Sequence, residues 1–88
     1  MEELLVIKEQ RFIKQFTDYQ SNVHRLQEHI NALEWTLKRG TNPGYLINKN
    51  ANLWVYSYFD PINKQDVKIS YLIKTNVHLL DIRLVPQE

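Results

Sequence analysis

The hydrophobic period of this sequence changes between residues 37 and 45, and that change restricts the fold more than any other feature. From residue 9 to Leu37, apolar residues recur mostly at intervals of three and four, the spacing of one face of an α-helix. From Tyr45 onward apolar residues fall in short runs typical of β-strands, and several of these runs alternate with polar residues. Helices followed by strands predict an α+β domain, in which two paired helices lie across one face of a twisted antiparallel sheet.

The first half of the chain predicts two helices, at residues 9–19 and 23–37. The second has the more regular apolar face, formed by Val23, Leu26, Ile30, Leu33 and Leu37. We expect Ser21 or Asn22 to cap its first turn, because their side chains accept hydrogen bonds from free backbone N–H groups. Gly40 is placed to end it in the left-handed conformation.

The remaining segments predict strands at residues 1–7, 45–47, 53–59, 67–73 and 77–85. Residues 1–7 also allow a second interpretation, a helical start continuous with the first helix. Residues 60–66 are rich in turn-forming residues and predict a loop, and Thr75-Asn76 predicts a tight hairpin connection. The predicted order is therefore β-α-α-β-β-β-β.

Length and composition limit the class of protein. With 88 residues, of which 43% are hydrophobic and 11% aromatic, the chain is expected to form one domain with a packed core. It has no cysteine, so neither a disulfide framework nor a thiolate metal site is expected. Only four apolar residues in a row precede Lys8, too few for a secretory signal or a membrane span, and we expect a cytoplasmic protein.

Familiar catalytic and cofactor motifs are missing from the sequence, and no cofactor or metal is predicted. Two glycines cannot form a glycine-rich phosphate loop. His24 and His29 are five residues apart, not at the i, i+4 spacing of a zinc-binding pair, and we expect both to be solvated on the second helix.

The charge pattern gives the first candidate site residues. The formal net charge is only +1, so a nucleic-acid function would depend on local clustering of cations. The basic residues expected on the sheet are Lys49, Lys68, Lys74 and Arg83. Lys68 and Lys74 are expected on one face of the same strand, with His78 near them across the hairpin. These residues predict a modest basic surface, for which simple solvation of an outer strand face is the alternative.

Three aromatic residues alternate along one predicted strand: Trp54, Tyr56 and Tyr58. Alternate residues share a face of a strand, so these side chains project together. One interpretation is that they cover the sheet as part of the core. The other is an exposed aromatic platform that stacks bases or receives the apolar helix of a partner. Because so small a chain cannot bury both sheet faces well, a partner surface is expected.

The chain resembles the RelE/ParE superfamily of type II toxins over nearly its whole length. The resemblance lies in the order of elements, in Pro43-Gly44 after the second helix and in Leu53-Trp54 entering a central strand. Its most specific part is the closing hairpin, residues 69–82, with the sequence ISYLIKTNVHLLDI. The family commonly has a Y-x-I/V strand, a short turn and a V-x-L-L-x-I strand there.

The resemblance implies a bacterial toxin held inactive by a cognate antitoxin. Some members enter the ribosome and cut mRNA with basic residues on the sheet and a general acid or base, whereas others poison DNA gyrase. By position, the resemblance implies catalytic roles for Lys68 and Arg83. His78, on the same hairpin but without a matching position in the family, is the third catalytic candidate. Two departures predict an incomplete catalytic set: residues 85–88 bring no further basic, Tyr or His residue, and the 60–66 loop is longer than usual.

Two alternatives to the toxin stay open. The first is a non-enzymatic interaction module whose aromatic sheet face binds a partner. The second is a small homodimer that pairs edge strands or helices.

Overall fold

The computed structural model describes residues 4–87, which form two helices and a five-stranded sheet. The elements in chain order are β1 (Val6–Lys8), α1 (Gln10–Tyr19), α2 (Leu26–Lys38), β2 (Tyr45–Asn48), β3 (Leu53–Asp60), β4 (Gln65–Ile73) and β5 (Val77–Pro86). The predicted α+β class is confirmed. Residues 1–3 of the predicted first strand lie outside the described residues. Neither helix within residues 4–87 is long and apolar enough to cross a membrane.

The strands are arranged in the order β1-β5-β4-β3-β2. Strands β2 to β5 pair antiparallel, each with its neighbour in sequence, but β1 runs parallel to β5. The sheet is therefore mixed, and the prediction of an antiparallel sheet is wrong for β1. The residue pattern of a short strand carries no information about its direction, so the sequence could not reveal this pairing.

The sheet has one face covered by the helices, here called the helix face, and one that is not, the open face. The apolar stripes of α1 and α2 form a single buried cluster with alternate residues of β4 and β5. The helices and the segment between them contribute Phe12, Val23, Leu26, Ile30, Leu33 and Leu37, and the sheet contributes Val67, Ile69, Tyr71, Val77, Leu79 and Ile82. The apolar face predicted for the second helix therefore packs into the core, as expected.

The second helix starts later than predicted. Residues 20–25 form turns, and α2 begins at Leu26 after Arg25, which has a left-handed φ of 56°. Ser21 and Asn22 are thus not its cap. The N–H of Val23 donates to the carbonyl of Tyr19, so the chain continues to turn after α1 and Val23 is buried before α2 starts. Gly40 has the predicted left-handed conformation, with φ of 80°.

The connection between β3 and β4 is shorter than predicted. The two strands pair as far as Asp60 opposite Gln65, which leaves a turn of residues 61–64. The Asp60 carboxylate is fully buried and holds this turn by accepting the N–H groups of Ile62 and Asn63 at 3.0 and 3.2 Å. The long loop expected from the sequence, which counted against RNase chemistry, is therefore not present.

The same carboxylate ties the hairpin to the segment before α2. It accepts the side-chain amides of Asn63 and Gln65 at 2.7 and 3.1 Å and the backbone N–H of His24 at 3.2 Å. Burial alone would raise the pKa of Asp60, but these hydrogen bonds outweigh burial and hold it well below its usual value. Asp60 thus joins two turns that are 36 residues apart in sequence.

We predict that Asp60→Ala lowers the free energy of unfolding by roughly 2–4 kcal/mol, because it leaves several part-buried donors without their acceptor. Urea denaturation at pH 7 measures this loss, and the exposed Asp18→Ala is the matched control. Since the pKa of Asp60 is lowered by folding, its contribution is complete above 3.8, the ordinary value, and is lost as the pH falls below it. A loss no larger than that of the control would contradict the assigned role.

Candidate nucleic-acid interface

Two cations lie directly opposite each other on the open face. Lys68 of β4 is paired in register with Arg83 of β5, and Ser57 of β3 completes this row across the sheet. Like charges directly opposite on neighbouring strands destabilise a sheet. Within residues 4–87 neither cation forms an ion pair. The pair is an arrangement that an anion lying over it would stabilise.

An irregularity in β5 brings these cations together. Ser70 is opposite Asp81 and Tyr71 is opposite Leu79, so Leu80 is an extra residue without a partner. Such a bulge reverses the alternation of side chains beyond it. If Leu80 instead paired regularly in the ladder, simple alternation from Leu79 would direct Arg83 to the helix face. The bulge therefore places Arg83 beside Lys68.

Lys68 is oriented by an aromatic neighbour. Its Nζ donates to the Tyr45 hydroxyl at 3.1 Å, at the edge of that ring. Tyr45 lies on β2 and is 46% exposed. The contact positions the ammonium group without neutralising its charge.

A second exposed ring lies on the other side of the cation row. Phe59 is 52% exposed and lies on the open face of β3, two residues beyond Ser57. Tyr45 is opposite Val55, which is four residues or roughly 13 Å from Phe59 along β3. The open face thus presents an aromatic ring, a pair of cations and another aromatic ring in succession. Rings and cations in this order suit the bases and phosphates of a single-stranded nucleic acid.

His78 is on the open face but apart from the cations. It is opposite Leu72, which lies four residues or roughly 13 Å along β4 from Lys68. Its Nδ1 is 3.3 Å from the Glu9 carboxylate. Of the three residues predicted to be catalytic, the structure brings Lys68 and Arg83 together and leaves His78 two rows away.

A carboxylate lies between His78 and the cations. Asp81 is opposite Ser70 on the open face, and its Oδ1 is buried without a hydrogen-bond partner among the described residues. Ser70 and its neighbour Val55 are also buried, although no helix covers them. Asp81, Tyr45 and Phe59 were not predicted as site residues from the sequence. The alternation of side chains along β3 predicts that Phe59 lies on the sheet face opposite to Trp54. The face on which Asp81 lies could not be predicted, because it depends on the bulge at Leu80.

The other two predicted cations lie at one end of the sheet. Lys49 is in the turn between β2 and β3, and Lys74 is in the turn that follows Ile73, where β4 ends. Asn52 and Ile73 are hydrogen-bonded to each other, so these turns are neighbours. Lys74 therefore does not lie on β4 with Lys68. Lys49 and Lys74 both lie at the end of the sheet that carries His78.

The aromatic strand residues lie on the helix face. Trp54, Tyr56 and Tyr58 are each partly buried against the core, opposite Tyr71, Ile69 and Val67. The interpretation of these three residues as an exposed platform is therefore corrected, because α2 and the residues before it approach them. The exposed rings of the sheet are Tyr45 and Phe59 instead.

His29 of α2 packs on this aromatic group. Its ring is stacked on Tyr58, with centroids 3.6 Å apart and planes within 4°, and its Nδ1 is 2.8 Å from the Tyr56 hydroxyl. The Tyr58 hydroxyl donates to the carbonyl of His24 at 3.1 Å. The expectation that His29 is merely solvated is wrong. Burial lowers the pKa of His29 and raises the pKa of both tyrosines.

We predict that His29 contributes to the pH dependence of stability. Because folding lowers its pKa, the unfolded chain binds a proton more readily below 6.5, and stability falls as the pH drops below that value. His29→Gln should reduce the difference between urea midpoints at pH 7.5 and pH 5. The matched variant His24→Gln should leave that difference close to wild type, and equal effects of both variants would contradict the assignment.

Among the described residues, no group of three or more His, Asp or Glu side chains comes together in a way that could hold a metal ion. Comparison with protein-family models, curated proteins and solved structures finds no match to this chain.

Proposed function

We propose that this protein is the toxin of a RelE/ParE-like type II toxin–antitoxin system, acting in the cytoplasm on RNA bound to its open face. The observation that carries the proposal is the opposed pair of cations, Lys68 and Arg83. Within residues 4–87 neither cation forms an ion pair that would offset their mutual repulsion, and a bound anion would supply that compensation. A cognate antitoxin that covers this face would then inhibit the toxin.

Local charge supports a nucleic-acid ligand. With a net charge of only +1, the chain has no general attraction for phosphate, so binding would depend on this pair. A phosphate above the row would accept hydrogen bonds from both cations and remove their repulsion. The ammonium group of Lys68 is already held by Tyr45, so less side-chain freedom is lost on binding.

The flanking rings favour a single strand over a duplex. Tyr45 and Phe59 are exposed on either side of the cations, where the bases of successive nucleotides can stack on them. Bases within a duplex are already stacked on each other and present only their edges to a protein. The surface therefore suits an unpaired segment such as mRNA.

Cleavage would follow the chemistry available to RNA itself. The ribose 2′-oxygen attacks the adjacent phosphorus, the 2′-hydroxyl loses its proton to a base, and the bond to the 5′-oxygen breaks as that oxygen gains a proton. Lys68 and Arg83 would stabilise the charge that develops on the phosphoryl oxygens. Asp81, one row from the cations, is better placed than His78 to accept the proton.

The alternative, a non-enzymatic module that binds a partner through Trp54, Tyr56 and Tyr58, has less support. Those rings pack toward the helices, and two of them are engaged with His29.

We predict that Lys68→Gln combined with Arg83→Gln weakens binding of a single-stranded oligoribonucleotide by at least about tenfold, since two phosphate contacts are lost. The double variant should also show a shallower dependence of log Kd on log salt. Fluorescence anisotropy at two salt concentrations measures both. The matched control is Arg11→Gln with Lys14→Gln, which removes the same charge from exposed positions of α1. Equal losses in the two double variants would show that only net charge matters and would sink the proposed interface.

We predict that inducible expression arrests growth and that Lys68→Gln with Arg83→Gln relieves the arrest. If the arrest depends on cleavage, extracted RNA will carry new ends with 2′,3′-cyclic phosphates, and Asp81→Asn will reduce them more than His78→Gln does. Arrest without new RNA ends would exclude the nuclease and point to a target such as DNA gyrase. If expression causes no arrest while RNA binding is intact, the toxin hypothesis is excluded and the protein is an RNA-binding protein.

A further inference from the structure

The open face has a direction, because the residue row on one side of the cations differs from the row on the other. The first row crosses four strands, and its members are Tyr45, Val55, Ser70 and Asp81. The second row crosses three strands, and its members are Phe59, Asp66 and Val85. Each row is two residues, or roughly 7 Å, from the cations along β4.

The carboxylates of the two rows differ in their hydrogen bonds. The Oδ2 of Asp66 accepts the side-chain amide of Gln87 at 2.5 Å. The Oδ1 of Asp81 has no hydrogen-bond partner among the described residues, and a buried acceptor left in that state favours a ligand that brings a donor. Asp81 is therefore the better acceptor for the proton of a ligand hydroxyl, and it lies in the same row as the exposed ring of Tyr45.

We propose that RNA crosses the open face along the strands, with its 5′ segment on the Tyr45 side of the cations and its 3′ segment on the Phe59 side. This orientation rests on the function proposed above, in which Asp81 takes the proton of the attacking 2′-hydroxyl. That hydroxyl belongs to the nucleotide on the 5′ side of the phosphate. The ribose of this nucleotide must then lie over the row of Asp81.

The geometry of cleavage sets the position of the other nucleotide. The 2′-oxygen forms a bond to phosphorus while the bond to the 5′-oxygen breaks on the opposite side, so the two oxygens are in line. The 2′ proton passes to Asp81 and the leaving oxygen takes a proton from solvent water, which gives a 2′,3′-cyclic phosphate and a 5′-hydroxyl. With the phosphate over Lys68 and Arg83, the leaving nucleotide lies over the row of Phe59.

This orientation gives a ligand to the two turn lysines, Lys49 and Lys74. Both are exposed at the end of the sheet beyond the Asp81 row, and neither forms an ion pair within residues 4–87. Their turns are joined where Asn52 donates to the carbonyl of Ile73 at 2.8 Å. Lys74 is six residues, or roughly 20 Å, along the chain from the cation row. The turn lysines therefore suit phosphates of the 5′ segment, upstream of the cleaved bond.

Binding of extended oligonucleotides tests the direction. The core is a short stretch of 2′-fluoro nucleotides, which lack the attacking hydroxyl and have bases to stack on the two rings. Abasic nucleotides added to one end bring phosphates but no base, so they do not shift the register. A 5′ extension should tighten binding by about tenfold at low salt, and Lys49→Gln with Lys74→Gln should remove that gain without weakening the core. A gain from a 3′ extension should be unaffected by this double variant.

The matched control is Arg11→Gln with Lys14→Gln, which removes the same charge and should affect the two extensions equally. If the turn variant removes the gain of the 3′ extension instead, or lowers both gains equally, the proposed orientation is wrong although the RNA surface stands. If the core does not bind, or binds equally well after Lys68→Gln with Arg83→Gln, the function proposed above fails, and the orientation fails with it.

Cross-linking gives an independent test. The chain has no cysteine, so Thr75→Cys in the β4–β5 turn and Ile62→Cys in the β3–β4 turn provide single exposed thiols at opposite ends of the sheet. A thiol-reactive group on the 5′ end should react at least about fivefold faster with Thr75→Cys, because binding raises its local concentration there. The same group on the 3′ end should prefer Ile62→Cys. Rates are corrected for the reaction of each thiol with the free reagent, and one preference for both ends, or the reverse preferences, would refute the orientation.

Discussion

The register between β4 and β5 is the constraint on which the rest of the structure depends. These two strands supply half of the buried cluster, and each core side chain of β4 lies opposite an apolar residue of β5. The extra residue Leu80 lets one strand keep Leu79 and Ile82 in the core while it turns Asp81 and Arg83 to the open face. If Leu80 took a regular place in the ladder, Asp81 and Arg83 would face the core, so the bulge serves stability and the candidate site together.

Much of the fold could be predicted because local periodicity decides it. The stripe from Leu26 to Leu37 packs on the sheet as its spacing indicates, and Gly40 ends α2 in the left-handed conformation. Features that depend on distant residues could not be predicted. The parallel pairing of β1 with β5, the late start of α2 and the short β3–β4 turn each depend on contacts across the fold, such as Asp60 with His24.

The candidate site shows the same division. Lys68 and Arg83 were identified from the sequence, but their direct opposition follows from the bulge, which no alternation rule reveals. The aromatic residues were recognised as a group, yet the face they occupy was decided by α2, whose His29 stacks on Tyr58. The two exposed rings beside the cations belong to less regular positions, an edge strand and the end of β3. The extent of burial, and not the residue type, distinguishes the aromatic side chains that pack against the core from those that are exposed to a ligand.

The opposed cations also bear on how this protein would change over generations. Since like charges across a strand pair disfavour folding, their loss leaves the core intact and the fold no less stable. On the function proposed here, a lineage released from selection for the RNA ligand would therefore lose Lys68 or Arg83 early, while Asp60 and the helix stripes would persist. The retention or loss of this pair in related chains would thus separate chains that keep the proposed binding surface from those that keep only the scaffold.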